Sequence, residues 1–162
     1  MLKIAVMISG GGTDLQSIID ACQAGKINGT IELVISNRQK AYGLQRAQKA
    51  GIETAVVKKN DTLIVSMLKE RNIDLVVLAG YLAILTDELI DAYPNQIINI
   101  HPSLIPSFCG AGMYGMHVHE AVLNRGVKVS GATVHFVSSE IDGGPIIKQV
   151  ACDISDLDKP ED

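Results

Sequence analysis

An asparagine and a histidine stand two residues apart in the segment "NIHPSLIPS", residues 99–107. If the segment begins as extended chain, Asn99 and His101 point to the same side, because side chains alternate along a strand. Asn offers an amide N–H, and His can donate when protonated or carry a proton, so the pair could stabilise a developing oxyanion. Pro102 and Pro106 fix φ and stiffen the loop behind the pair. The alternative is a polar loop that only closes a strand.

An aspartate lies in the turn "EIDGGP", residues 140–145. Asp-Gly is a common turn pair, so Asp142 alone predicts no chemistry. However, His135 and Thr133 share one face of the predicted strand that precedes this turn. If that strand lies beside the strand that ends at Asn99, Asp142 can approach His101 and orient its imidazole or accept a proton, directly or through water.

The glycine-rich segment "SGGGTDLQ", residues 9–16, joins a predicted strand to a predicted helix. Such a turn exposes backbone N–H groups at the positive end of the helix, which favours an anion such as phosphate. It lacks the Gly-Lys-Ser/Thr of a P-loop. It also lacks a dinucleotide-binding pattern, because Leu15 replaces the third glycine and Asn37 stands where an acid would bind a ribose. A tight turn without a ligand is the alternative.

Metal and covalent chemistry are the other possibilities. The chain has four histidines, but His117 and His119 converge on one ligand only in extended chain, and their segment is predicted to be helical. We therefore predict no metal site. Cys109 follows His101 closely and could be a nucleophile, but no neighbouring group in the sequence activates it.

Apolar runs and helical periodicities alternate along the chain and define the elements that must position these residues. Strands are predicted at 2–8, 30–36, 52–57, 73–80, 95–100, 127–137 and 146–154. Helices are predicted from Thr13 to Gly25 and at 40–51, 61–71, 86–93 and 116–125, with a loop at 101–115. Thr13 and Gln16 have the spacing of a capping box, and Thr86 can cap its helix. The expected fold is α/β: a Rossmann-like three-layer domain with a parallel first half, then a mixed sheet with a C-terminal antiparallel hairpin.

Composition limits the class of protein. The 162 residues fit one domain, 1–162, and 47% hydrophobic with 20% charged residues is typical of a folded chain. The net charge of -4 and the lack of a basic stripe argue against nucleic acid as a partner. Three cysteines without a C-x-x-C pair indicate a reducing compartment. No apolar run approaches the ~18 residues of a membrane span, so we expect a cytoplasmic protein without a membrane partner.

Four motifs in this order carry a resemblance to a known family. They are "SGGGTDLQ" (9–16), "LAGYLAIL" (78–85), "NIHPSLIP" (99–106) and "GATVHFV" (131–137) followed by "DGGPII" (142–147). Over essentially the whole chain the sequence resembles the formyltransferases that use 10-formyltetrahydrofolate as co-substrate, without a metal. Within that family it is most similar to the branch that formylates the amine of glycinamide ribonucleotide in de novo purine biosynthesis.

The resemblance implies a role for several residues. Asn99, His101 and Asp142 would be catalytic: the first two stabilise the oxyanion, and Asp142 supports the imidazolium and relays a proton from the amine. The substrate phosphate would bind at Gly12, Thr13 and Asp14. The folate would contact Leu82, Ala83, Ile84, Leu85, Asn99, Ile141 and Asp142. Thr133 and His135 would lie behind the catalytic histidine.

The chain also departs from the family's pattern. Family members commonly have Asn where this chain has Asp14, whose carboxylate would repel a phosphate and weaken its binding. No arginine matches the one expected to bind the glutamate tail of the folate. The segment "DLDKPED" resembles a helix start, so the family's later helix is expected beyond Asp162. A related formyltransferase, a formyltetrahydrofolate hydrolase, a metal-dependent hydrolase and a phosphate-binding module remain alternatives, as do monomer and homodimer.

Overall fold

The computed structural model describes residues 1–162, which divide into two compact units, Met1–Ile98 and Asn99–Asp162. The strands are β1 (Leu2–Ile8), β2 (Gly29–Ser36), β3 (Thr54–Val56), β4 (Leu75–Leu78), β5 (Ile97–His101), β6 (Val129–Phe136) and β7 (Ile146–Asp153). The helices are α1 (Thr13–Gln23), α2 (Gly43–Lys49), α3 (Asp61–Glu70), α4 (Asp87–Ala92) and α5 (Met116–Arg125). None of these helices is long and apolar enough to cross a membrane.

The first unit is built around β1, which pairs in parallel with β2 on one side and with β4 on the other. β3 extends the same sheet beyond β2, giving the order β3-β2-β1-β4. Residues 4–8 of β1 are all buried, as expected for an apolar strand covered on both faces. This strand order and the helical connections between parallel strands confirm the Rossmann-like α/β class.

Helix α1 begins one residue earlier than a capping box requires, so that prediction is wrong. The N-cap is Gly12, in the left-handed conformation with φ 76°, and no side chain caps the helix. Thr13 is therefore already inside the helix, and the Gln16 amide donates instead to Asp20 at 2.9 Å. The apolar face is as predicted, with Leu15 and Ile19 buried.

Helix α4 differs from the expectation in a similar way. Thr86 is the N-cap residue, but its side chain makes no hydrogen bond to the helix. Its hydroxyl donates to the carboxylate of Asp61, the first residue of α3, at 2.8 Å. An acceptor from another helix thus replaces the local cap.

In the second unit, β6 and β7 form the antiparallel hairpin that the sequence predicts, with Val129 opposite Asp153 and a register shift between Val134 and His135. β5 neighbours β6 and extends through His101, one residue further than predicted. Helix α5 has the predicted bounds and ends at Gly126, which has a φ of 78°. Its buried residues Val118 and Val122 pack with Ile154 in a small core.

Candidate active site

Asn99 and His101 lie on the same face of β5, separated by one residue of the strand. His101 is only 3% exposed, whereas Asn99 is partly exposed. The sequence predicted the shared face, and the extension of β5 through His101 explains it, because both residues have strand geometry. The two side chains can therefore act on one bound group.

The carboxylate of Asp142 lies between two imidazoles. Its Oδ2 atom is 3.7 Å from Nδ1 of His101, and its Oδ1 atom is 3.8 Å from Nε2 of His135. Oδ2 also accepts a hydrogen bond from the N–H of Gly110 at 2.9 Å. Asp142 has a φ of 54°, a conformation that Asp tolerates better than most residues. The turn after β6 therefore delivers a largely buried carboxylate to His101, as the sequence predicted.

The other nitrogen of His101 fixes the tautomer of the ring. Nε2 lies 2.8 Å from the carbonyl oxygen of Phe108, which can only accept, so Nε2 carries a hydrogen. Nδ1 is then the nitrogen left to face Asp142 and any substrate. The Phe108 carbonyl is positioned by a tight turn, in which the buried Ser103 hydroxyl donates to the carbonyl of Ser107 at 2.6 Å.

His135 acts on Asn99 rather than on His101. Its Nδ1 atom lies 2.9 Å from the carbonyl oxygen of Phe136 and must donate there. In the neutral ring Nε2 is then an acceptor, and it lies 3.2 Å from the amide nitrogen of Asn99. One N–H of Asn99 is thus used, and the amide is oriented with its second N–H free for an oxyanion.

Thr133 holds the loop that follows His101. Its buried hydroxyl donates to the carbonyl of Ser103 at 2.7 Å and accepts from the N–H of Ile105 at 3.1 Å. It also accepts from the side chain of Gln149 at 3.0 Å, and the same Gln149 amide nitrogen bonds the carbonyl of Ile105 at 2.9 Å. Thr133 therefore shapes the loop rather than contacting the imidazole.

Covalent and metal chemistry find little support in the geometry. The Cys109 sulfur donates to the carbonyl of Pro106 at 3.3 Å. Burial, and secondarily the carboxylate of Asp142, raises the pKa of the Cys109 thiol, which disfavours the thiolate. His117 is exposed on α5, 3.9 Å from Glu120. No group of three or more His, Cys, Asp or Glu side chains is arranged to hold a metal ion.

The glycine loop of the first unit directs its carbonyl groups inward. The carbonyl of Gly10 accepts from the N–H of Gly43, and that of Gly11 accepts from the guanidinium of Arg46 at 2.8 Å. The carbonyl of Gly12 accepts the first hydrogen bond of α1 from Gln16. The N–H groups of the loop are therefore what it presents to an anion, while exposed Thr13 and Asp14 begin α1 beside them.

The residues that the resemblance assigns to the folate fall in both units. In the first unit, 82–85 is an irregular segment in which Leu82 is 41% and Ile84 is 77% exposed, while Leu85 is buried. Ala83 between them is partly exposed. In the second unit Ile141, beside Asp142, is 45% exposed. Exposed apolar side chains of this kind suit an aromatic heterocycle.

Several groups that shape the site were not predicted from the sequence. The Phe108 carbonyl and the Gly110 N–H are backbone groups, which no residue type reveals. Ser103 lies inside "NIHPSLIP", and its place between two prolines near a candidate histidine was an available signal. Gln149 lies on β7 and has no such signal.

Comparison with known proteins agrees with the site. Residues 2–162 match the sequence profile of the family described as "Formyl transferase". The chain is 44% identical to phosphoribosylglycinamide formyltransferase of Haemophilus influenzae, covering 100% of this chain and 78% of that protein. It is 40% identical to the chloroplastic phosphoribosylglycinamide formyltransferase of Arabidopsis thaliana, covering 99% of this chain but only 58% of that protein.

Among solved structures, glycinamide ribonucleotide transformylase 1 from Symbiobacterium toebii superimposes with a TM-score of 0.92 at 41% identity, covering 99% of this chain and 77% of that one. Fold, sequence profile and relatives agree over nearly all of the residues. The chain therefore belongs to the formyl transferase family.

Proposed function

We propose that this chain transfers the formyl group of 10-formyltetrahydrofolate to the amine of glycinamide ribonucleotide, a step of de novo purine biosynthesis. The observation that carries the proposal is the convergence of Asn99, His101 and Asp142 at the end of β5, in a chain whose relatives are named for this activity. Two hydrogen-bond donors and one carboxylate are the groups that transfer of a formyl group to an amine requires.

The reaction needs no covalent bond to the protein. The amine nitrogen attacks the formyl carbon, and the formyl oxygen becomes an oxyanion. The free N–H of Asn99 and the protonated Nδ1 of His101 stabilise that charge. Asp142 stabilises the imidazolium and accepts the proton that the attacking amine loses. The bond between the formyl carbon and N10 of the folate then breaks, and N10 takes a proton, giving tetrahydrofolate and the formylated amide.

Substrate binding follows from the remaining residues. The N–H groups around Gly12 and Thr13 bind the phosphate, with Asp14 beside them. The apolar segment 82–85 contacts the pteridine, and Ile141 adds apolar contact next to the catalytic carboxylate. Thr133 and His135 keep the loop and Asn99 in place. The single domain 1–162, the cytoplasmic location, the absence of a metal and the choice between monomer and homodimer stay predictions.

The test is formyl transfer from 10-formyltetrahydrofolate to glycinamide ribonucleotide, followed by the absorbance change of the folate. Formate release without the amine is measured in parallel. Transfer that depends on the amine and persists after dialysis against a chelator supports the proposal. Formate release alone indicates a hydrolase, and activity lost on chelation and restored by a divalent metal indicates a metal-dependent enzyme. Asn99→Ala and His101→Ala should abolish turnover while binding persists, an outcome that a binding module without chemistry cannot give.

A further inference from the structure

The segment 82–85 exposes apolar side chains and has no regular structure. Ile84 and Leu82 are poorly packed, so the protein core does not fix the shape of the segment. A loop that must present apolar groups to a ligand without such packing needs other constraints, because a mobile loop loses entropy on binding. The structure supplies a constraint at each end.

The first constraint is the hydroxyl of Ser9. Its Oγ atom accepts a hydrogen bond from the N–H of Leu82 at 2.8 Å, and the N–H of Ser9 donates to the carbonyl of Gly80 at 3.1 Å. The hydroxyl hydrogen is directed to Oδ1 of Asn37 at 2.6 Å, which leaves an oxygen lone pair for Leu82. Ser9 is 2% exposed, so these bonds are shielded from water.

The second constraint is the carboxylate of Asp61. Its Oδ2 atom accepts from both the N–H and the hydroxyl of Thr86, each at 2.8 Å. A charged acceptor with two donors from one residue fixes the place of Thr86 more firmly than a neutral contact. Because Thr86 directly follows Leu85 and precedes α4, this pair defines where the segment ends.

We propose that Ser9 and Asp61 are positioning residues that hold 82–85 in the shape that receives the pteridine of the formyl donor. This inference rests on the proposed function and deepens it. Neither side chain needs to touch the substrate, since each acts through a backbone group of the segment. Their effect is confined to the affinity for the folate, because neither bonds the glycine loop through its side chain or contributes to the chemical step.

The experiment compares Ser9→Ala, Asp61→Ala and Asp61→Asn with the unsubstituted chain. The first two should raise the KM for 10-formyltetrahydrofolate about tenfold, roughly the effect of losing one or two hydrogen bonds. The KM for glycinamide ribonucleotide and kcat at saturation should stay within about twofold. Asp61→Asn, which retains an oxygen acceptor, should have a smaller effect than Asp61→Ala. Ser130→Ala, a buried serine of β6, serves as the matched control and should leave both KM values unchanged.

Two further measurements separate this inference from the proposed function. Hydrogen exchange of the Leu82 amide should accelerate in Ser9→Ala, and calorimetric titration should show the same tenfold loss of affinity for tetrahydrofolate. Tetrahydrofolate binding that depends on Ser9, in a chain without transfer, would support the inference and refute the function. Unchanged folate affinity in Ser9→Ala and Asp61→Ala, an equal rise in both KM values, or no folate binding by the unsubstituted chain would overturn the inference.

Discussion

His101 and Asp142 face each other across 3.7 Å, from Nδ1 of the imidazole to Oδ2 of the carboxylate. Both groups are nearly buried, with side chains 4% and 10% exposed. The distance suits an ion pair when the imidazole is protonated but is too long for a hydrogen bond, and catalytic contacts often shorten when the substrate binds. Because Nε2 is bonded to Phe108, the pairing acts through Nδ1 alone.

Asp142→Asn should therefore abolish most of the activity without unfolding the site. The amide keeps an oxygen for the Gly110 N–H, but it neither accepts the proton of the amine nor stabilises the imidazolium. We expect kcat to fall about a hundred- to ten-thousandfold, the usual contribution of general acid–base catalysis. Steady-state kinetics measure kcat, and calorimetry should show ribonucleotide affinity within a few fold. Glu140→Gln, an exposed carboxylate of the same turn, is the control, and a similar kcat in both variants would contradict the role of Asp142.

Ser103→Ala tests the turn that sets the tautomer of His101. Without the bond from the Ser103 hydroxyl to Ser107, the Phe108 carbonyl loses its support, and a hydrogen on Nε2 is no longer favoured. Nitrogen-15 NMR of the imidazole should show Nε2–H in the unsubstituted chain and a mixture of tautomers in the variant. We expect kcat to fall about tenfold, equivalent to about 1.4 kcal/mol, with both KM values unchanged.

Ser107→Ala is the matched control for that experiment, because the exposed Ser107 contributes its carbonyl and not its side chain to the turn. Its spectrum and kcat should match those of the unsubstituted chain. A single Nε2–H tautomer in Ser103→Ala would show that the turn does not set the ring.

His135 should act through Asn99, which a double-mutant cycle can measure. His135→Phe removes the acceptor at Nε2, so the amide of Asn99 can turn its oxygen toward the oxyanion. We expect kcat to fall ten- to a hundredfold in His135→Phe and less in His135→Gln, which offers an oxygen acceptor. In the Asn99→Ala background the same substitutions should cost little, giving a coupling of about 1–2 kcal/mol in transition-state free energy. Additive losses would mean that His135 acts independently of Asn99.

The sequence predicts the elements well because the signals are local. β1 is a continuous apolar run and becomes the buried centre of its sheet, and α5 follows its helical periodicity to the residue. The capping box failed because a left-handed Gly12 begins α1 one residue early, a backbone choice that residue spacing does not show. Thr86 failed as a cap because its partner, Asp61, lies in another helix.

Prediction of the site was uneven for the same reason. Asn99 and His101 share a face by strand periodicity alone, so their relationship could be predicted from two positions. The approach of Asp142 required the assumption that two strands are neighbours. The support for His101 comes from the Phe108 carbonyl and the Gly110 N–H, and the anchor of Leu82 comes from a serine at the far end of another strand. Those contacts depend on the completed fold.

Asp14 provides the last prediction, because it places a negative charge where a phosphate dianion would bind. The residue lies in the first turn of α1, whose positive end favours either anion and cannot serve both equally. Asp14→Asn removes the repulsion and should lower the KM for glycinamide ribonucleotide about two- to fivefold, as expected for a surface interaction of about 0.5–1 kcal/mol. The KM for 10-formyltetrahydrofolate should not change. The difference between the two chains should shrink as ionic strength rises, because salt screens exposed charges. Asp20→Asn, in the same helix but two turns further along, is the control, and an unchanged or higher KM for the ribonucleotide in Asp14→Asn would show that the carboxylate does not oppose phosphate binding.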